Sequence, residues 1–469
     1  MRFGILAPFL LVVGCMTVSC TSVGPEYERP EASINPAWLQ SELDEFDTSP
    51  AELAQWWETL NDPVLNELIA AAIAQNNSIK IAGLRILEAQ GNLGIATGNR
   101  FPQQQAISGG ATYTDNGDLT LEQYNLGAGL SWEIDFWGRF AHGVEAADAN
   151  YLASIASYDD VMVLVIATVA DVYAVIRATE AQLRLARDSL KLQQRSFDIV
   201  EVLFRNGSSS ELDALQAKTL LLSTEATIPE LEAVLIQAKN ALSVLLGIAP
   251  ANLEKSFDGS SAQLTVPATI ALGLPADLLR QRPDVRQAEL RAMSQNAVVG
   301  IATADLYPSF SLTGFLGVSS TTIDSGNSTV DNFLSTDGSA FSVGANFVWP
   351  FLNYGRIRSN IEVQDARLQQ ALVAYQEAVI QGAREVEDAM SLLTSTQEKD
   401  AILSESVDVA QRSADLAFLR YKEGFADYQR VLDAQQALFT QQQRYATNRG
   451  EVVRSVVKLY RSLGGGWQQ

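Results

Sequence analysis

Apolar and polar residues alternate strictly over thirteen positions in the first half of the chain. Tyr124, Leu126, Ala128, Leu130, Trp132, Ile134 and Phe136 interleave with Asn125, Gly127, Gly129, Ser131, Glu133 and Asp135. Period two over this length predicts a strand, and a longer one than is ordinary. One face is apolar with aromatic ends; the other is polar or glycine. That is the pattern of a strand with lipid on one side and water on the other. A weaker partner, Ala106 to Thr114, precedes it across the polar turn Asp115-Asn116-Gly117-Asp118. The second half repeats the pair. Phe310, Leu312, Gly314, Leu316 and Val318 alternate with Ser309, Ser311, Thr313, Phe315 and Gly317. Phe341, Val343, Ala345, Phe347, Trp349 and Phe351 alternate with Ser342, Gly344, Asn346, Val348 and Pro350. Residues 319–339 between them are rich in Ser, Thr, Asp, Asn and Gly and read as a long soluble loop.

The remaining periodicity is helical. From Trp56-Trp57 to Arg100 apolar residues recur at helical spacing until Pro102, which removes a donor and stops a helix. A second such helix precedes the later strands, with Gly94-Ile95-Ala96-Thr97 recurring as Gly300-Ile301-Ala302-Thr303 and Pro102 as Pro308. After each strand pair comes a hairpin of two long helices, the first arm about 65 residues and so roughly 100 Å. The first hairpin runs from Gly138-Arg139 through Gly207 to Leu246-Gly247. The second runs from Gly355-Arg356 through Gly424 to Leu463-Gly464. A constant offset of 217 relates them, against 206 before the strands, so the longer second loop absorbs the difference. Within the arms a heptad seam recurs in the same register. It carries Leu183, Ala186, Leu190, Phe197, Val200 and Phe204, interrupted by Gln193, then Leu403, Val407, Ala410, Ala414, Ala417 and Tyr421.

Each half therefore reads short helix, strand, strand, long helix, long helix. The predicted division is 51–247 for the first repeat, with strands near 105–115 and 123–136. A linker at 248–272 leads to the second repeat at 273–464, with strands near 307–319 and 339–351, and a tail at 465–469. The fold class is mainly α with a membrane β-barrel contribution. Four strands cannot close a barrel, and open edges are not tolerated in lipid. Single-chain bacterial barrels begin at eight strands, so several copies must combine; three would supply twelve.

Composition removes several functions. Net charge is −22 with a pI near 4.5, which disfavours nucleic acid as a partner, since phosphate binding needs a basic surface. The acidity fits a solvated exterior or a cation-favouring interior, and composition alone does not separate them. His142 is the single histidine, and it reads as an incidental helix residue. The only cysteines are Cys15 and Cys20. Neither a Cys/His zinc cluster nor a histidine triad can be built, which leaves little to build a secreted hydrolase with; the chain is read as no enzyme, without a cofactor. The five methionines are scattered rather than clustered.

The start of the chain is a secretory leader. Arg2 precedes an apolar run from Phe3 to Val13, then small residues and cysteine. The run is too short to cross a membrane, which takes about 20 residues. Two lipoprotein cleavage sites compete: Val12-Val13-Gly14-Cys15, better by residue type, and Thr17-Val18-Ser19-Cys20. Residues 20–50 are proline-rich and acidic and read as an extended arm. No later run reads as a membrane helix; the best, Val161 to Ala170, stops at Asp171.

The hairpin turns supply the candidate site. Gly207 and Gly424 provide the positive φ of a helix end. Ser208 and Glu211 have capping-box spacing for the next helix, and Asp427 stands where a cap would follow Gly424. Beyond the turns lie Asp213 in the first copy and Arg430 and Asp433 in the second. Asp213 and Arg430 are equivalent positions of opposite sign.

Three motifs carry a resemblance. They are Cys20 followed by Val23-Gly24-Pro25-Glu26-Tyr27 and Pro30; Trp56-Trp57 with Asp62-Pro63 and Leu65; and Leu274-Pro275, Leu278-Leu279, Arg282-Pro283-Asp284-Val285, Ala288-Glu289 and Tyr307-Pro308. Gly355-Arg356 and Arg420-Tyr421 with Gly424 add to it. The mature chain resembles the TolC-like outer-membrane efflux proteins, in their lipoprotein subgroup of outer-membrane factors. The resemblance selects Cys20 for lipidation and makes residues 1–19 the signal peptide.

The resemblance implies a homotrimer in the outer membrane of a Gram-negative bacterium, with a twelve-stranded barrel and a helical tunnel across the periplasm. It implies an exit duct of a tripartite efflux or secretion system. A periplasmic adaptor would dock at the turns Gly207, Ser208, Gly424 and Phe425. An inner-membrane pump, such as a resistance-nodulation-division transporter, would supply cargo. The periplasmic aperture maps onto Asp213, Arg430, Asp433 and Tyr421. Arg430 departs from relatives that carry an acid there and implies a mixed-charge ring. The alanine-lined second hairpin, 355–464, is expected to be the gating half. The alternative is a periplasmic coiled-coil adaptor or scaffold lipoprotein without a pore, which accounts for the hairpins but not for four amphipathic strands.

Overall fold

The computed structural model describes residues 22–31, 34–40, 46–47, 53–115, 117, 120–250, 264–267, 269–272, 275–323 and 339–467. The leader with Cys15 and Cys20, turn residues Asn116 and Asp118, much of the 248–272 linker, loop residues 324–338 and the last two residues of the tail lie outside them. In chain order the elements are β1 (Phe46–Asp47), a 3-10 turn (Trp56–Leu60), α1 (Pro63–Gln75), α2 (Asn77–Gly98), β2 (Gln104–Asp115), β3 (Thr120–Ile134), α3 (Arg139–Arg205) and α4 (Glu211–Leu245). There follow β4 (Ile270–Ala271), α5 (Pro275–Gln281), α6 (Pro283–Ala304), β5 (Ser309–Ile323), β6 (Ser339–Val348), α7 (Arg356–Lys422) and α8 (Tyr428–Ser462). Both α3 and α7 have 67 residues, and both α4 and α8 have 35.

The described chain forms two compact units. The first gathers residues up to 31, 85–155 and 287–376. Its centre is an antiparallel sheet of order β2-β3-β5-β6. The register aligns Ile107 with Ala128, Leu126 with Val318, Leu130 with Gly314, and Leu316 with Phe341. Paired residues share a face, so the apolar residues of all four strands collect on one side. That side is open: Ile107 is 82%, Leu316 63%, Phe341 75% and Phe347 68% exposed. The opposite side carries Asn125, Ser131, Thr313, Ser319 and Asn346. Phe315 is one of its apolar exceptions, with Leu121 and Val348. The ring lies across Gly127 and Gly317, where an added Cβ would come within 2.4 Å and 2.7 Å of it. β2 and β6 are the sheet's two edges.

The strands end where helix chemistry takes over. The alternation reaches Phe136, but β3 stops at Ile134 because Asp135 turns to cap α3. Its carboxylate accepts from Phe140 N (3.1 Å) and Ala141 N (2.8 Å), beside the positive φ of Gly138. Likewise β6 stops at Val348, since Pro350 can donate no ladder bond.

The arm is docked in this unit by the residue the sequence marks as incidental. His142 is 8% exposed. Its Nε2 lies 2.9 Å from both Ser22 Oγ and Val23 O, and its Nδ1 lies 2.7 Å from Glu145. Both ring nitrogens are thus engaged, one by the arm and one within α3. Asn296 donates to Pro25 O at 2.9 Å, and Arg29 pairs with Glu289.

The second unit gathers residues 32–84, 156–286 and from 377 on. Here the helical run from Trp56 is broken twice. Asp62 caps α1 through Val64 N at 2.9 Å, with Pro63 at the first helical position. Asn76 then separates α1 from α2, accepting from Ser78 N at 2.8 Å and donating to Leu245 O at 2.7 Å. Trp56 is buried and stacks on Tyr460 at 5.0 Å. Arg282, the arginine of the Arg-Pro-Asp motif, is buried and donates to Ser462 O, Asp284 and Glu385. Burial works against its charge, yet those partners hold its pKa above the ordinary value. Within α3 one 18-residue stretch has a mean hydropathy of 2.1, long and apolar enough to cross a membrane by length and composition, where the sequence reading found none. Half of it is buried. Val163, Ile166, Val169 and Tyr173 turn inward, and Arg454 pairs with Asp171 at 2.7 Å.

Candidate functional site

Both hairpin turns close in the same way. Gly207 has φ +75° and Gly424 has φ +76°. Gly207 N bonds Phe204 O and Ser208 N bonds Leu203 O. Gly424 N bonds Tyr421 O and Phe425 N bonds Arg420 O. This paired pattern is the Schellman end, which needs a left-handed residue at the glycine. Phe425 is 78% exposed at the tip of the second turn.

The next helices start differently. The predicted cap Ser208 is not the cap of α4. Ser210 is, its hydroxyl accepting from Asp213 N at 3.1 Å while Asp213 Oδ2 accepts from Ser210 N at 3.1 Å. Ser208 is already committed to the preceding helix end, so the capping box falls two residues later. Asp427 does stand at the N-cap of α8, but its side chain makes no capping bond.

Asp213 thereby acquires a second role. Ser209 Oγ donates to it at 3.0 Å, and the Ser209 hydroxyl also acts on Tyr421, lowering its pKa against the effect of burial. Partial burial opposes the charge of Asp213, but the Ser210 and Ser209 hydrogen bonds outweigh it and hold the carboxyl below its usual range. Burial pushes the Tyr421 hydroxyl up, as it does that of Tyr428. The two rings lie 5.0 Å apart, and Tyr428 OH reaches Ser196 Oγ at 2.9 Å. Beneath them Val200, Ala214, Ala217, Leu220, Val431 and Leu432 form a buried cluster, with Phe197 and Phe418 packed against it. The Ser196–Tyr428 hydrogen bond and the buried cluster therefore fasten the two hairpins together near their ends, with Ser209 and Asp213 acting on Tyr421 beside them.

Of the four aperture residues, the structure brings Asp213 and Tyr421 together and leaves Arg430 and Asp433 apart. Both lie on exposed positions of α8. Asp433 accepts from Gln429 at 2.8 Å, and among the described residues no ion pair joins Arg430 to either acid. Sequence reasoning missed Ser196, Ser209, Ser210 and Tyr428. Ser196 lies in Gln194-Arg195-Ser196, which recurs 217 residues later as Gln411-Arg412-Ser413, whereas Tyr428 lies across the turn from Tyr421 and shares no helical period with it.

A duplicated hairpin, a two-faced sheet and fastened turns narrow the possibilities sharply. The outer membrane efflux protein family matches residues 68–248 and 274–465, one stretch over each copy of the hairpin. The chain belongs to the outer membrane efflux protein family. This efflux protein is similar to the probable outer membrane lipoprotein SilC of Salmonella typhimurium, 32% identical over 462 residues and covering 96% of each chain. It is also similar to the cation efflux system protein CusC of Escherichia coli O6:H1, 31% identical over 480 residues, covering 99% of this chain and 100% of CusC. Among solved structures, the outer-membrane channel OprN superposes with a TM-score of 0.87 at 31% identity, covering 95% of this chain and all of OprN. The fold class is that of these channels, membrane strands joined to long tunnel helices, and the protein acts in efflux at the outer membrane.

Proposed function

We propose that three copies of this chain close one twelve-stranded barrel and form the exit duct of a tripartite efflux system. The observation that carries this is the sheet. Its apolar face is open and its edges β2 and β6 are free, and lipid tolerates neither free edges nor a partial barrel. Pairing β6 of one copy with β2 of the next removes every edge. Helix exposure supports the same arrangement. Leu84 of α2 is 63% exposed, whereas its repeat counterpart Leu290 of α6 is 8% exposed. The face covered in the second repeat awaits a neighbouring copy in the first. A scaffold without a pore has no use for such a sheet.

The hairpin ends then form the inner aperture. Asp213 and Tyr421 fasten each protomer shut, and Arg430 and Asp433 face neighbouring copies as a mixed-charge ring. The turns Gly207, Ser208, Gly424 and Phe425 receive a periplasmic adaptor, and an inner-membrane pump delivers cargo. Cys20 carries the lipid. Mass measurement and electron microscopy of detergent-extracted protein test the assembly. Elongated trimers are expected, and a monomer overturns the reading. For the anchor, Cys20→Ala is expected to abolish palmitate incorporation; loss on Cys15→Ala alone overturns that assignment.

A further inference from the structure

The two strand pairs repeat each other residue by residue. Laid on β5, β2 places Ile107 on Leu312, Gly109 on Gly314 and Thr114 on Ser319, a constant offset of 205. Laid on β6, β3 places Gly127 on Gly344, Ala128 on Ala345 and, just beyond β6, Trp132 on Trp349, an offset of 217. The helices before the strands differ by 206, so the first repeat has one residue more after its proline. That residue is Gln103. Its side chain bonds Glu133 N at 2.7 Å and Glu133 O at 3.1 Å, which absorbs the extra residue against β3. Under these offsets the two hairpins share one register. Ile107–Ala128 becomes Leu312–Ala345, and Gly109–Leu126 becomes Gly314–Val343; both are pairs of the second hairpin.

The sheet also holds one junction between repeats, β3 against β5. Its counterpart is β6 against the β2 of another copy. The same offsets turn Leu126–Val318 into Val343–Tyr113, Ala128–Leu316 into Ala345–Ala111, and Leu130–Gly314 into Phe347–Gly109. These residues all lie on the apolar face. A one-residue slip would turn one copy's apolar face to the polar side, so only slips of two compete. In the derived register Phe347, 68% exposed, meets Gly109, the only glycine on the apolar face of β2.

The helices beside the sheet show the same relation. In the protomer Ser294 of α6 donates to Ala146 O of α3 at 3.0 Å, and a Cβ at Gly300 would lie 2.6 Å from His142. The repeat counterparts are Glu88 with Val363 and Gly94 with Ser359. Here the surfaces are open. Val363 is 47% exposed, Glu88 and Ser359 are exposed, and a Cβ at Gly94 would meet nothing within 4 Å.

On the closed-barrel reading above, we propose that copies join in this register. β6 of one copy pairs with β2 of the next as Ala345–Ala111 and Phe347–Gly109, and α2 of that next copy seats Gly94 over Ser359 of α7. The contact between copies then repeats the contact between repeats, and a head-to-tail contact of this kind closes a ring.

Cysteine pairs test the register in full-length protein, oxidised in outer membranes with copper phenanthroline. The first pair is Ala345→Cys with Ala111→Cys; the second is Asn346→Cys with Gly110→Cys. Neighbouring pairs alternate in type along an antiparallel ladder, so one of the two has the closer side chains. Covalent trimers on non-reducing gels are expected. Ala345→Cys with Gly109→Cys, or with Tyr113→Cys, reports a slip of two. Each should cross-link at least about tenfold less, since Cβ atoms about 7–8 Å apart exceed the roughly 3.5–4.5 Å of a disulfide. Mass measurement of the parent separates the outcomes. Trimers that cross-link best at a slipped pair, or at no pair, overturn the register and leave the barrel standing. A monomeric parent overturns both.

Discussion

His142 Nε2 lies 2.9 Å from the carbonyl oxygen of Val23, a residue 119 positions earlier. That bond, with those to Ser22 and Glu145, pins the start of the described arm to the first turn of α3. Space around it is closed, since a Cβ at Gly300 would sit 2.6 Å from the imidazole.

His142→Ala removes these bonds and leaves the Val23 carbonyl to find water. A loss of about 1–3 kcal/mol in local arm docking is expected. Hydrogen exchange at residues 22–25 should rise roughly tenfold or more while the sheet stays protected. Unchanged protection of Val23 would show that the other arm contacts suffice. Gly300→Ala should give the same local loosening by steric displacement of the ring.

Tyr421→Phe deletes one hydroxyl from the fastening of the hairpins. The loss of its polar interaction with Ser209 should cost about 0.5–1.5 kcal/mol at most, an increase of up to roughly tenfold in any open population. Single-channel recording in planar bilayers measures it, with higher resting conductance expected. Indistinguishable currents would remove Tyr421 from the gate.

The pH dependence follows from Asp159 in α3. Burial raises its pKa to about 6, against the opposing pull of Arg286. The folded state therefore holds the proton more tightly than the unfolded state. Stability from this group is present below about pH 4 and is lost as pH rises through about 6. After allowance for partial solvent screening the cost above pH 6 is about 1 kcal/mol. Asp159→Asn should melt higher than the parent at pH 8 and converge with it near pH 4. A constant difference across that range would contradict the assignment.

The faces of the sheet can be read with thiols, because Cys15 and Cys20 are the chain's only cysteines. Ser319 lies on the polar face and Leu316 on the apolar one. In nanodiscs Ser319→Cys should react with a charged maleimide at least about tenfold faster than Leu316→Cys. Equal rates would mean the apolar face does not meet lipid.

Much of this fold was legible because its periods are long and uninterrupted. The alternation at Tyr124–Ile134 and the constant offset between Gly207 and Gly424 each repeat one physical constraint many times. Local chemistry at element ends was harder to read. Ser208 and Ser210 both offer a hydroxyl near the helix start. Only the Schellman bond from Ser208 N shows that the former is spent on the preceding helix. His142 gave no periodic signal, because its partners Ser22 and Val23 come from a distant segment. Gln193 was visible as a break in the seam, but only the packed helices show that its Oε1 is buried without a partner.

The docked arm also sets an order of events. Its partners lie far apart in sequence, all between β3 and β5: His142 at the start of α3, then Glu289, Asn296 and Gly300 in α6. Contacts of such separation form late, because a long chain segment must first close on itself. During export the arm is the first described segment to emerge, and its seat is completed only after α6 has followed. Until then the arm has no seat, so the first described segment to emerge is among the last to dock.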